Sequence, residues 1–155
     1  MCVPADWSHA VLASDRVSFH RGDGDIETRT EIAVVPDDSA EVRRVTLTNH
    51  GNVPHEIELT SYGEIVLAPG ASDPAHPAFS SLFVQTEWHS WCSALTATRR
   101  PRSAGEAVHW CVHVVATSGE QVGTVSCESD RARFLGRGRT LRDPAALAVD
   151  DPLSG

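Results

Sequence analysis

Apolar and polar residues alternate one for one along most of this chain, and that pattern is what most restricts its fold. A side-chain period of two sends every second residue to one face, which suits a half-buried strand and defeats a helix. In residues 16–20 the apolar pair is Val17 and Phe19. Residues 26–35 read as a strand between the turn signals Gly22-Asp23-Gly24-Asp25 and Pro36-Asp37-Asp38-Ser39. Residues 41–49 set Val45 and Leu47 against Arg44, Thr46 and Thr48. After the connection His50-Gly51-Asn52-Val53-Pro54, residues 55–62 set Ile57, Leu59 and Ser61 against Glu56, Glu58, Thr60 and Tyr62. Gly63 marks a bulge before an extended 64–67, and Pro69-Gly70 ends it. Residues 82–88 and 94–98 read as the arms of a hairpin, and 107–116 as the strongest strand. Residues 124–129 form another strand, which 131–135 extend or turn away from. One short helical turn is expected within 73–82, and no long stripe at helical spacing exists. Seven or eight short strands with turn signals about every 8–12 residues predict an all-β, antiparallel β-sandwich with little helix.

Residues 1–15 carry no clear element, 16–135 hold the sandwich segment, and 136–155 read as an extended tail, first rich in Arg and Gly, then acidic. The 155 residues suffice for one core. The chain has 13 basic residues, all Arg, and 21 acidic ones, so 13 − 21 gives a net charge of −8 with His neutral. That balance argues against a nucleic-acid partner and against contact with an anionic membrane. No apolar run reaches the roughly 20 residues of a membrane helix, and the N-terminus lacks the basic and apolar regions of a signal peptide. A cytoplasmic setting is expected. Cys2, Cys92, Cys111 and Cys127 show no Cys-x-x-Cys spacing, which favours reduced thiols over a zinc site or a disulfide framework.

Several constellations could carry chemistry. His109, Cys111 and His113 alternate on one face of a strand, as metal ligands or as a half-polar surface opposite Val112 and Val114. Glu56 and Glu58 share a face, which on a half-buried strand is the solvated one. There is neither a Gly-x-Ser-x-Gly nucleophile elbow nor a Gly-rich phosphate loop. Arg131, Arg133, Arg137, Arg139 and Arg142 fall within 12 residues. Their guanidinium forks suit carboxylates, phosphates and sugar hydroxyls, and also the chain's own acidic residues. Trp7, Trp88, Trp91, Trp110 and Tyr62 could stack on sugar rings. Trp110 sits in a core-like strand and reads as packing, whereas Trp88 and Trp91 flank an expected tip.

Taken in order, several stretches resemble a known family. They are residues 26–31, 41–49, 56–62 and 76–79, the run 130–139, then Asp143-Pro144-Ala145-Ala146-Leu147 and Pro152-Leu153-Ser154-Gly155. Over about 16–155 the chain resembles the β-sandwich domain of glycoside hydrolase family 94 phosphorylases, nearest to the phosphorylase-like region of cyclic β-1,2-glucan synthases. The resemblance implies part of a galactose-mutarotase-like supersandwich. Catalysis and the inorganic phosphate site belong in that family to a following (α/α)6 barrel, so this chain is expected to hold no catalytic residue and no cofactor. Arg137 and Arg139 are the implied sugar-site residues, and a β-glucan oligosaccharide is the implied ligand of the parent protein. That parent is expected to be anchored in the bacterial inner membrane.

Three functions follow. The chain is a noncatalytic sandwich portion of a glucan-processing enzyme, or a free-standing carbohydrate-binding module using Trp88 and Trp91, or a metal-binding β protein using His109, Cys111 and His113. A partial sandwich would also leave open strand edges, which favour self-association.

Overall fold

A computed structural model describes residues 3–68, 82–101, 103–148 and 153. Cys2, the 76–79 stretch and nearly all of the expected helical turn at 73–82 lie outside the described residues. The chain forms two compact units, Met1–Glu58 and Leu59–Gly155.

The first unit is a four-stranded antiparallel meander in sequence order: β1 (Trp7–Leu12), β2 (Val17–Asp23), β3 (Ile26–Val34) and β4 (Glu41–Asn49). Residues 1–15, which show no clear alternation, nonetheless supply β1, because the backbone of β2 offers it a full ladder from Trp7 opposite Gly22 to Leu12 opposite Val17. Asp23 faces Ile26 across a two-residue loop whose first position, Gly24, has φ 58°. A positive φ there is easy only for glycine and matches the twist of the flanking strands. Asp6 fastens the corner: its Oδ2 accepts from Gly24 N at 2.7 Å, while its own N–H donates to Gly22 O at 3.0 Å. The strand registers place Ala10, Leu12, Val17, Phe19, Ile26, Ile32, Val45 and Leu47 on one face. The opposite face carries Trp7, His9, His20, Glu27, Arg29, Glu31 and Thr48.

The second unit holds a three-stranded antiparallel sheet of β5 (Val84–His89), β6 (Ala94–Arg99) and β7 (Trp110–Val114). The central strand β6 is covered on both faces. Ala94 lies on one and Ala97 and Arg99 on the other, all nearly inaccessible. Arg99 tolerates burial because its Nη1 donates to Glu106 Oε1 at 2.9 Å and its guanidinium sits 5.7 Å from the centre of the Phe83 ring.

The alternating residues 55–62 and 64–67 form no strand, and neither do 124–129. Ladders in the described residues run through β1–β4 and β5–β7, and these segments stand outside both sheets. The strongest alternation, 107–116, narrows to β7 at a sheet edge, where Trp110 is 65% exposed and Val112 and Val114 are exposed too. The expected core side of that strand is therefore open in this chain, and the opposite side, with Cys111 beside Ala97, is the better covered one.

Residues 131–135 are neither strand nor turn but a one-turn helix, α1 (Arg131–Leu135). Asp130 caps it, Oδ1 accepting from Ala132 N at 2.7 Å and Arg133 N at 3.2 Å. Gly136, at φ 78°, ends it by donating to Ala132 O at 2.9 Å. Phe134 and Leu135 are buried, and Tyr62 stacks on Phe134 with ring centres 5.2 Å apart. The residues that follow do not simply extend. A 3-10 turn at Ala145–Leu147 packs on α1, close enough that a β-carbon at Gly136 would stand 2.6 Å from that of Ala145. Tyr62 and Arg131 both donate to Glu64 Oε1, at 2.8 and 2.9 Å. These bonds hold the Glu64 carboxyl below its ordinary pKa, Arg131 being the larger influence. Burial, then Glu64, push the Tyr62 hydroxyl up.

Removing the cap with Asp130→Ala is expected to lower stability by about 1 kcal/mol in urea denaturation, with an unchanged m-value. Because the Glu64 pKa is lower folded than unfolded, its contribution is present above the unfolded pKa and lost as pH falls through the folded one. The stability difference between wild type and Glu64→Gln should therefore be fully present at neutral pH and shrink as pH falls below the ordinary glutamate pKa. A difference that stays constant over that range would exclude the carboxylate as its source.

Candidate functional site

The β5–β6 connection is the most exposed aromatic tip of the second unit. It spans Ser90-Trp91-Cys92-Ser93, with Ser93 at φ 49° and Cys92 N donating to His89 O at 3.2 Å. Trp91 is 84% exposed. Trp88 is only half-buried on β5, opposite Leu95. The two indoles therefore do not share one role: Trp91 stands at the tip and Trp88 beside a cross-strand leucine. Below the tip lies an open depression lined by Ser90, Ser93, Thr117, Gln121 and Thr124 with two valines. Thr117 Oγ1 donates to Gln121 Oε1 at 2.8 Å, and Gln121 Nε2 donates to Gly123 O at 3.2 Å. Hydroxyls and an amide in a shallow setting suit a neutral polyhydroxylated ligand better than an ion.

Arg137 and Arg139 lie in the turn after α1, directly after Gly136 and Gly138 respectively, and both glycines have positive φ. Both arginines are exposed. Arg139 Nη1 stands 3.8 Å from Asp143 Oδ2, a loose pair that leaves most of its donors for another acceptor. Arg131 is occupied by Glu64, and Arg133 Nε approaches Glu128 Oε2 at 3.9 Å. Within the run, Arg131 is closely paired, Arg133 and Arg139 stand only loosely beside carboxylates, and the turn after α1 carries Arg137 and Arg139.

His109, Cys111 and His113 do not converge. Among the described residues no group of three or more His, Cys, Asp and Glu side chains could hold a metal ion. His109 falls outside β7, where its carbonyl accepts from Thr98 Oγ1 at 3.1 Å, and His113 lies opposite Leu95. Ligand atoms two residues apart on an extended strand are separated by about 6.6 Å, too far for a common ion without a neighbouring strand's help. Cys92, Cys111 and Cys127 are free thiols, each half-buried, and burial raises the Cys127 pKa. Glu56 and Glu58 are exposed and lie outside the strands of both sheets.

One cluster escaped the linear reading. On the polar face of the first sheet, Trp7 stacks on His9 with ring centres 5.6 Å apart and planes 20° off parallel. His9 stacks in turn on His20, at 4.6 Å and 6°. His9 and His20 are direct cross-strand partners in the β1–β2 register. Glu27 follows on β3, with His20 Nδ1 3.9 Å from its Oε1 and His50 Nε2 2.9 Å from its Oε2. The His50 contact is the main reason the Glu27 carboxyl lies below its ordinary pKa, with His20 adding to it. The signal was present as register: once residues 7–12 and 17–22 are paired through the Asp15 turn, His9 must face His20.

Comparison with known proteins agrees with this architecture. Residues 3–155 match the family described as glycosyl hydrolase 94, supersandwich domain. The chain is 36% identical over 152 residues to the cyclic beta-(1,2)-glucan synthase NdvB of Rhizobium meliloti (strain 1021), covering 98% of this chain and 5% of that protein. The chain thus spans about one-twentieth of the length of the curated relative it matches. Ordered antiparallel sheets, very little helix and a match along nearly the whole length lead to one conclusion: this chain belongs to the glycosyl hydrolase 94 supersandwich family, a domain of carbohydrate-active enzymes.

Proposed function

We propose that this chain is a noncatalytic supersandwich portion of a glucan-processing enzyme of the cyclic β-1,2-glucan synthase kind. In this reading it supports a separate catalytic (α/α)6 barrel and edges its sugar site. The observation that carries the reading is the family match over residues 3–155. The Arg137–Arg139 turn gives the edge its chemistry: two exposed guanidinium groups on a glycine-flanked bend, one only loosely paired, can donate to sugar hydroxyls or to a phosphate on the neighbouring domain. No helix among the described residues is long and apolar enough to cross a membrane, so any anchor would belong to other parts of the parent. The segment would then work on the cytoplasmic side of the inner membrane. The open edge of β7, with Trp110, Val112 and Val114 exposed along it, favours pairing with another strand when the chain is studied alone.

The chain alone, incubated with β-1,2-glucan and inorganic phosphate, is expected to release neither glucose 1-phosphate nor new reducing ends. Turnover that tracks the purified chain would overturn the noncatalytic reading. In the complete enzyme, the double substitution Arg137→Ala and Arg139→Ala should raise KM for glucan about tenfold, at little cost to kcat. An unchanged KM would remove these arginines from the sugar site. Sedimentation of the isolated chain should show concentration-dependent association, which Val112→Lys on the β7 edge weakens.

A further inference from the structure

We propose that the Trp7–His9–His20 stack on the first sheet, with the Glu27 carboxylate beside it, is a second carbohydrate-binding surface, taking the pyranose ring of a neutral β-glucan. The choice of a glucan rests on the proposed function; the existence of the site rests on the geometry that follows.

Solvent-facing positions of an antiparallel sheet ordinarily carry short polar or charged side chains, as Thr46 and Thr48 do here. Three near-parallel rings on such a face are unlike that pattern. They are also built into the sheet. His9 and His20 are fixed by register as cross-strand neighbours, which holds their planes 6° apart. Trp7 caps the column at the start of β1. Its position depends on the absence of a side chain across the ladder: a β-carbon at Gly22 would stand 2.2 Å from the indole Nε1. Asp6, immediately before Trp7, is tied to Gly22 O and Gly24 N, so the backbone that carries the indole is anchored by two hydrogen bonds at the β2–β3 corner. The indole nonetheless remains 46% exposed. The end ring of the stack, the Trp7 indole, is thus held in place by the ladder and left half wet, so it has already met the ordering cost that a sugar-stacking ring requires.

The polar half of the surface is Glu27. Its carboxylate is kept ionised by His50 and His20, and each oxygen has an imidazole on one side only. A carboxylate oxygen has two lone pairs, so acceptor capacity remains for vicinal hydroxyls. A pyranose presents an apolar face of C–H groups and a rim of hydroxyls, which is the complement of an aromatic platform with a carboxylate at its edge.

The test is titration of the 155-residue chain with a linear β-1,2-linked glucose oligosaccharide, followed by calorimetry and by NMR of the indole N–H and histidine ring protons. Saturable heat is expected, with shifts at Trp7, His9 and His20. Trp7→Ala and Glu27→Gln should each weaken binding about tenfold. Because Trp7→Ala could loosen β1, the wild-type shift map is an independent measure that needs no variant. Absence of saturable binding overturns the proposal, as do shifts confined to Trp88 and Trp91. The two readings fail separately. An inactive chain that does not bind glucan sinks this site alone, and a chain that binds at Trp7 but also cleaves glucan sinks the noncatalytic reading alone.

Discussion

Every regular element here depends on whether a stretch of backbone finds another to accept and supply its hydrogen bonds. A strand has no internal bonds, unlike a helix, so its sequence pattern is a request that only a neighbour can meet. Where the request is met the pattern does not even need to be strong. Residues 7–12 alternate poorly and still form β1, because β2 presents a complete ladder to them. Good alternation by itself does not make a strand. Residues 55–62 are among the cleanest period-two segments in the chain and form no strand.

That asymmetry explains how far the fold was legible. The spans 26–35 and 41–49 were readable nearly to the residue, because each is bounded by strong turn chemistry and each has its partner next in sequence. The hairpin of 82–88 and 94–98 was readable for the same reason. The helix α1 was hidden by its length. Five residues give no period, and only its ends carried the information, Asp130 as an N-terminal cap and Gly136 with positive φ as a stop. The exposure of Trp110, Val112 and Val114 is a matter of tertiary cover, which no local pattern encodes.

Functional legibility divides along similar lines. Arg137 and Arg139 could be singled out because the resemblance pointed to them, and in the structure only Arg131 of this run is held by a close carboxylate, Glu64. The metal constellation failed because alternation on one strand spreads ligands out instead of gathering them. The stack of Trp7, His9 and His20 lay in plain sight as residues but not as neighbours. Its members come from two strands, and proximity across a ladder emerges only after register is assigned.

Gly22 has a wider meaning than the room it makes. The indole that fills its side-chain space belongs to the first strand of the sheet, and that strand lies at an edge. Edge strands are the segments that open first in native-state fluctuations. Trp7 can sit against Gly22 only while β1 is zipped to β2, so positions 7 and 22 behave as one latch whose two halves have to evolve together. A side chain acquired at 22 would leave the strand in place but turn its ring outward, changing the surface without changing the topology. The same contact makes the near-ultraviolet signal of a single indole an internal gauge of whether the edge of this sheet is closed.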